Sequence, residues 1–454
     1  MLQHLGFPDR WTSWVHNILS VGTSSVILNG VPGRKFKSKR GVRQGDPLSP
    51  LLFVLAAELL QILVNRAAAH GTLQFPITRH EGEDFPIVQY ADDTLLILQA
   101  DENQLLSLKD LLSDFAISTG LKVNYSKSQI LPINVSAEKM NTLASVLDCK
   151  VGSFPFTYLG LPMGTTKPRV EDFTPLMDRI ERRLTSCSSL LSYTGRLEMV
   201  NTVLSSTATN AMCSLKLPKG VIDNIDRARK QCLWRGQSQQ KKGGNLAAWP
   251  MVMKPKEKGG LGIINLNIQN DALLIKHLHK FYNRADVPWV NFIWHNHYMD
   301  RVPHATREVG SFWWKDVLRL NTLFRGIARC HIGNGKTVTF WDDLWSDQVL
   351  AQQFPCLLTY ATENSLKISV SQAAVAQELD SLFNLPLSQQ AFEEFQRLND
   401  ILTTVHLDSQ ANDSWVYQWG NNIYSSRKFY KMAFQNIPAH LFSIGYGNQN
   451  APPG

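Results

Sequence analysis

Two apolar, β-prone runs flank the four residues Tyr90-Ala91-Asp92-Asp93 and leave almost nothing between them. Phe85-Pro86-Ile87-Val88-Gln89 stands before them and Thr94-Leu95-Leu96-Ile97-Leu98 after. Runs so closely spaced predict a tight hairpin. Its tip then carries two adjacent carboxylates, and something must offset their repulsion. A solvated Asp-Asp turn is the plain alternative. Ile87, Val88 and Leu95 to Leu98 argue against it, because they ask for a buried sheet. Carboxylates held rigidly at the end of buried strands suit a hard divalent cation such as Mg2+.

A chain of 454 residues suggests roughly two to four domains. Its net charge of +8 suits a polyanionic partner without requiring one. The six cysteines (Cys149, Cys187, Cys213, Cys232, Cys330, Cys356) are scattered and form no C-x-x-C pair. Neither a zinc site nor a disulfide framework is expected, and a reducing compartment fits. No signal peptide opens the chain, and no apolar run is expected to reach the roughly 18–20 residues that span a bilayer. The expectation is a soluble intracellular protein with no membrane contact.

Leu5-Gly6-Phe7-Pro8-Asp9-Arg10-Trp11, with Trp14, Val15, Ile18 and Leu19, predicts an amphipathic helix that Asp9 can cap. Thr23 to Asn29 has a strand pattern, and Gly30-Val31-Pro32-Gly33 a turn. The next arm is basic: Arg34, Lys35, Lys37, Lys39, Arg40 and Arg43. It is either an edge strand protected by cations or a phosphate-contacting strand. Gly41-Val42-Arg43-Gln44-Gly45-Asp46-Pro47-Leu48-Ser49-Pro50 follows, a polar glycine turn in which Asp46 or Ser49 can cap a helix with Pro50 in its first turn. That helix, Leu51 to Leu63, is apolar nearly all round and is expected to be deeply buried.

The ten residues from Gly41 to Pro50 resemble the templating and nucleotide-pocket motif of reverse transcriptases, and Tyr90-Ala91-Asp92-Asp93 looks like their catalytic hairpin. The wording is similar to the non-LTR (LINE-type) retrotransposon polymerases of plants. Phe115-Ala116-Ile117-Ser118-Thr119-Gly120-Leu121-Lys122-Val123-Asn124-Tyr125-Ser126-Lys127-Ser128 resembles the next palm motif. Phe156-Thr157-Tyr158-Leu159-Gly160-Leu161-Pro162-Met163-Gly164 resembles the hairpin that grips the primer. Tyr193-Thr194-Gly195-Arg196-Leu197 resembles the family's thumb helix.

The resemblance implies an α+β fold: an incomplete right-hand polymerase palm of antiparallel sheet and helices, a helical thumb, and a small Trp-rich C-terminal region. It implies domains at 1–165 (palm), 166–240 (thumb), 241–300 (basic loop and helical connection) and 301–432 (Trp-rich region), with a disordered tail at 433–454. It implies RNA-directed DNA polymerase activity on an RNA template, a DNA primer and deoxynucleotides. Two Mg2+ ions roughly 3.5–4 Å apart would hold the attacking and leaving oxygens. Asp92 is then the principal ligand and Asp93 the second. Tyr90 supports the primer end, and Arg43, Gln44, Gly45 and Ala91 line the nucleotide and template side. Lys127 could reach the leaving group, and Tyr158, Leu159 and Gly160 grip the primer. The family's other main metal ligand lies on a strand before the Leu5-Gly6-Phe7-Pro8 pattern, so it is expected before residue 1. The alternative is therefore a catalytically inactive remnant that at most binds nucleic acid.

Farther on, Arg227, Arg229, Lys230 and Arg235 stand on one predicted helix, as solvated cations or as a track for a duplex backbone. Gln237 to Asn245 predicts a flexible loop, and a basic Gly259-Gly260-Leu261-Gly262 turn follows. Ile332 to Trp345 predicts a strand–turn–strand about an Asn-Gly pair. The tryptophans of the last third favour a satellite core over base stacking, and Asp342-Asp343 a capped turn over a metal site.

Overall fold

The computed structural model describes residues 2–3, 5–37, 41–43, 45–76, 86–187, 191–234, 247–298, 302, 310–376 and 378–435. The side chains of residues 185–187 are outside that description. So are Gln44, Phe85, Arg235, the loop at 237–245, Lys39 and Arg40 of the basic arm, and 436–454 of the tail. The chain forms two compact units, residues 1–154 and 155–454.

In the first unit, helix α1 (Asp9–Val21) starts one residue earlier than a capping role for Asp9 would allow. Pro8 is its N-cap and Asp9 its first helical residue. Strands β1 (Thr23–Ser24) and β4 (Phe36–Lys37) pair around a smaller hairpin, β2 (Ile27–Leu28) with β3 (Val31–Pro32). The turn is Asn29-Gly30, both at positive φ (51° and 82°), not Gly30 to Gly33. Such a two-residue turn matches the twist of the paired strands.

Helix α2 (Ser49–Ala69) runs two turns past Leu63, and its 21 residues are long and apolar enough to cross a membrane by length and composition. Both the length and the expected burial are thereby corrected. Only Ser49, Leu60 and Val64 are buried, while Leu51 and Val54 are 62% and 61% exposed. The reason is geometric: among the described residues one partner layer, α3 (Glu102–Thr119) with the hairpin of β5 (Ile87–Tyr90) and β6 (Asp93–Leu96), covers one stripe of a helix that is apolar all round. Asp101 caps α3 by accepting from the Gln104 amide at 3.1 Å, and Gly120 ends it at φ 77°. Leu60 and Val64 meet Leu108, Leu112 and Phe115 in the core, with Ile87, Leu96 and Leu98 laid on it. Helix α4 (Ala137–Leu147) packs Met140 and Leu143 on Leu105. Beside it β7 (Gln129–Ile130) runs parallel to β8 (Lys150–Val151).

The second unit opens on hairpin β9 (Phe156–Tyr158) and β10 (Leu161–Met163). Helices α5 (Thr174–Cys187), α6 (Tyr193–Met199), α7 (Ser205–Thr207), α8 (Thr209–Ser214) and α9 (Lys219–Trp234) follow. A π-turn at Val200–Leu204 joins α6 to α7. Ile180, Val200, Leu204, Met212, Val221 and Ile225 are buried together. Arg229 is not a solvated cation. It is fully enclosed, donating to Asp226 at 2.6 Å and to the Ile264 carbonyl at 2.5 Å.

Helices α10 (Trp249–Val252) and α11 (Leu266–Tyr282) flank the glycine turn, where a Cβ on Gly260 would fall 2.0 Å from the Lys254 carbonyl oxygen. Around α11 the tryptophans build a second core: Trp294, Trp314, Trp341 and Trp415 are nearly fully buried. That enclosure removes them from base stacking. Strands β11 (Ala328–His331) and β12 (Ser414–Tyr417) pair at its edge. The predicted strand–turn–strand at 332–345 is instead a loop wrapped on one carboxylate. Asp413 accepts from the amides of Gly333, Gly335 and Thr337 at 2.8–2.9 Å and from the Thr337 hydroxyl at 2.7 Å. Asp343 is likewise a buried acceptor, taking the Thr339 amide at 2.7 Å beside the Arg325 guanidinium. Burial pushes its carboxyl up, and Arg325 opposes the shift.

Candidate functional site

The acidic hairpin forms as its pattern predicts. Strand β5 (Ile87–Tyr90) pairs antiparallel with β6 (Asp93–Leu96), Tyr90 opposite Asp93, and Ala91-Asp92 is the whole turn. Ala91 takes φ 50°, a left-handed conformation that two-residue hairpins demand. Side chains alternate across the pleat. Ile87 and Leu96 face the core, and Gln89 Nε2 donates to the Ala57 carbonyl of α2 at 3.3 Å. That anchors one face of the hairpin to α2.

The opposite face is open. Val88 and Tyr90 are 53% and 61% exposed there, with Asp93 paired beside Tyr90. Both aspartates stand in water at the tip. The buried sheet expected for this hairpin is thus half realised: one face is packed and the other solvated, since only two strands pair.

The glycine turn ahead of α2 is held by its own polar atoms. The Arg43 carbonyl accepts the Ser49 hydroxyl at 2.8 Å, and Asp46 Oδ1 accepts the Leu48 amide at 2.9 Å. Neither Asp46 nor Ser49 is the N-cap, which is Leu48. Gly45 sits at φ 85°. The Arg43 guanidinium lies against the end of α1, where a Cβ on Gly22 would come within 2.6 Å of Nη2. Ile18, Gly22, Gly41, Arg43, Asp46 and Ser49 line a shallow cleft there.

Lys127 ends a short 3-10 turn, exposed, with its amide donating to Asn124 Oδ1 at 3.3 Å. No hydrogen bond or ion pair joins Asp92 or Asp93 to Arg43 or Lys127 among the described residues. In the second unit, Leu159 and Gly160 form the β9–β10 turn at φ 49° and 78°, and Asn210 Nδ2 donates to the Leu159 carbonyl at 3.4 Å. Tyr158 is half-buried at the end of β9.

Metal chemistry needs more donors than this. Among the described residues no group of three or more His, Cys, Asp or Glu side chains is placed to hold a metal ion. Mg2+ takes six oxygen ligands, with one or two carboxylates per ion and the rest from waters and substrate phosphates. Asp92 and Asp93 alone do not fit a pair of bound Mg2+ ions.

Residues 1–163 match the sequence model of the family described as reverse transcriptase (RNA-dependent DNA polymerase). That match covers the first 163 of the chain's 454 residues. The matched segment holds the glycine turn, the acidic hairpin and the β9–β10 hairpin. The chain is also 27% identical over 295 residues to the retrovirus-related Pol polyprotein from the type-2 retrotransposable element R2DM of Drosophila melanogaster, covering 61% of this chain and 26% of that protein. It is 32% identical over 137 residues to the Pol polyprotein from the type-1 retrotransposable element R2 of Popillia japonica, 30% of this chain and 18% of that one. A protein of Arabidopsis thaliana, provisionally named a ribonuclease H protein, is 24% identical over 191 residues, 41% of this chain and 31% of its own. The R2 relatives represent the non-LTR retrotransposons, the class that the motifs resemble. The chain spans less than a third of the length of each of these three relatives.

Proposed function

We propose that this chain is the RNA-directed DNA polymerase segment of a LINE-type retroelement, with Asp92 and Asp93 as carboxylates of its nucleotidyl-transfer centre. One observation carries the reading. The two-residue turn carries Asp92 and the strand pair carries Asp93 opposite Tyr90, both in water, on a hairpin whose other face is anchored in a core. An active centre needs that combination of access and rigidity.

In this reading the first unit is the palm, and the helices after β10 are the thumb. Tyr90 supports the primer end, Arg43, Gln44, Gly45 and Ala91 line the nucleotide and template side, and Tyr158 to Gly160 hold the primer. RNA template, DNA primer and deoxynucleotides are the substrates. The net charge of +8 favours such polyanions. Divalent metal binding at the tip needs acidic ligands beyond the described residues.

A second reading, a binder of nucleic acid without turnover, is favoured by that shortage of carboxylates. Primer extension with Mg2+ or Mn2+, run beside Asp92→Ala, separates the two. Synthesis that the substitution abolishes establishes the polymerase. Salt-dependent primer–template binding with no synthesis establishes the silent binder.

A further inference from the structure

Arg196 is a half-buried cation. Its Nε is enclosed and has no acceptor among the described residues. Among those residues no ion pair or side-chain hydrogen bond engages its guanidinium; its contact is with the Tyr193 ring, 6.0 Å from Cζ. Glu198, the acid nearest in sequence, is exposed and makes no ion pair with it. Other arginines of this unit are engaged: Arg229 pairs with Asp226, and Arg183 donates to the Thr207 hydroxyl at 2.6 Å.

Two aromatic rings complete the cluster. Tyr193 is 42% exposed, and its ring centre lies 6.2 Å from that of Trp234, the last residue of α9. The Trp234 indole N–H is enclosed and also lacks an acceptor. Cys232, two residues back on α9 and fully buried, lies near enough for the Arg196 charge to act on its thiol. Helices α6 and α9 thus bring together an unanswered guanidinium, two rings and two orphaned donors. Enclosed donors without acceptors cost free energy, and a cation shielded from water without a counter-charge costs more.

We infer that Tyr193, Arg196 and Trp234 form a seat for single-stranded nucleic acid. The outer edge of the guanidinium takes a backbone phosphate, for which its planar fork is suited. The Tyr193 face stacks a base, with Trp234 backing the ring. Aromatic faces beside cations are the recurring chemistry of strand binding without sequence preference. The seat rests on the nucleic-acid part of the proposed function and is independent of catalysis at Asp92.

The test is fluorescence anisotropy of a labelled oligonucleotide of about twelve bases with the full chain, over a range of salt. Arg196→Gln is expected to weaken binding about tenfold and to flatten the log–log salt slope by about 0.7. Arg196→Lys should keep the slope. Tyr193→Leu should weaken binding about tenfold with the slope unchanged. Thermal melts of each variant control for folding, and Tyr193→Leu, at an exposed ring, keeps the test decisive should Arg196→Gln unfold. Folded Arg196→Gln and Tyr193→Leu chains that bind like wild type overturn the seat. Polyglutamate that displaces the oligonucleotide at equal charge overturns the base-stacking assignment. Failed primer extension by the wild-type chain together with Arg196-dependent binding removes the polymerase reading and leaves the seat.

Discussion

Asp226 holds the Arg229 guanidinium at 2.6 Å, one turn away on the same helix, with the arginine wholly enclosed. Burial pushes the Asp226 carboxyl up, and the Arg229 charge acts against that shift. Removing one partner of such a pair leaves an unanswered charge in the interior. Asp226→Ala is expected to cost about 3–5 kcal/mol in urea unfolding. Conversely, replacing Arg229 and Asp226 together with Met and Leu should cost less than the sum of the single changes. The slope of nucleic-acid affinity against salt should not move with the double change, since Arg229 reaches no solvent. A reduced slope would restore Arg229 to the binding surface.

His277 gives the fold a pH dependence of known sign. Burial pushes its imidazole from 6.5 down to about 4; Lys276 and Lys280 add to the shift, and the bond to the Cys213 carbonyl opposes it. The ring is enclosed between Trp289 and Trp313, with Nε2 3.0 Å from that carbonyl. Below pH 6.5 the unfolded chain takes up a proton that the folded chain refuses until about pH 4. Its contribution is complete above 6.5 and is lost as pH falls through about 4. The loss amounts to about 3 kcal/mol. Urea midpoints at several pH values between 7 and 4 measure it. His277→Gln, which cannot titrate, should remove most of that slope; an unchanged slope would assign it to other groups.

Asp413 organises a loop eighty residues away in sequence. Its two oxygens take three backbone amides and one hydroxyl, from Gly333, Gly335 and Thr337. Asp413→Ala orphans all of these donors at once and should cost about 3 kcal/mol or more, read as a lower thermal midpoint. Asp413→Asn keeps an acceptor and should fall between the two. A midpoint equal to wild type in the alanine variant would mean that water replaces the carboxylate.

Ala91 carries φ 50° at the acidic tip. Left-handed backbone costs a non-glycine residue about 1 kcal/mol. Ala91→Gly should therefore leave the hairpin intact and raise stability by about 0.5 kcal/mol, allowing for the greater entropy of the unfolded glycine. Ala91→Val should destabilise it, because a branched Cβ crowds the left-handed turn. Amide hydrogen exchange of Val88 and Leu95 across the ladder reports both; faster exchange in the glycine variant than in the valine variant refutes the turn assignment.

Local signals were the legible ones. Tyr90-Ala91-Asp92-Asp93 announced its hairpin, and Gly120 announced the end of α3, because turn and cap chemistry act within a few residues. Asn29-Gly30 carried the same kind of signal, but Gly30-Val31-Pro32-Gly33 competed with it in the pattern. Burial was less legible. Helix α2 is apolar all round, yet Leu51 and Val54 face water, since composition fixes how apolar a face is and not whether a partner reaches it.

The sequence by itself determined the Gly120 helix end, the acidic tip and the resemblance, all of which depend on neighbours along the chain. Tertiary structure decided which charged groups stay free. Arg229 and Arg196 are indistinguishable as letters on two helices. One is enclosed because Asp226 and the Ile264 carbonyl, 35 residues away, converge on its fork. The other lies over the Tyr193 ring, and among the described residues no carboxylate or carbonyl converges on it. Contacts between residues far apart in sequence set the electrostatic fate of each cation, and those contacts exist only once the helices pack.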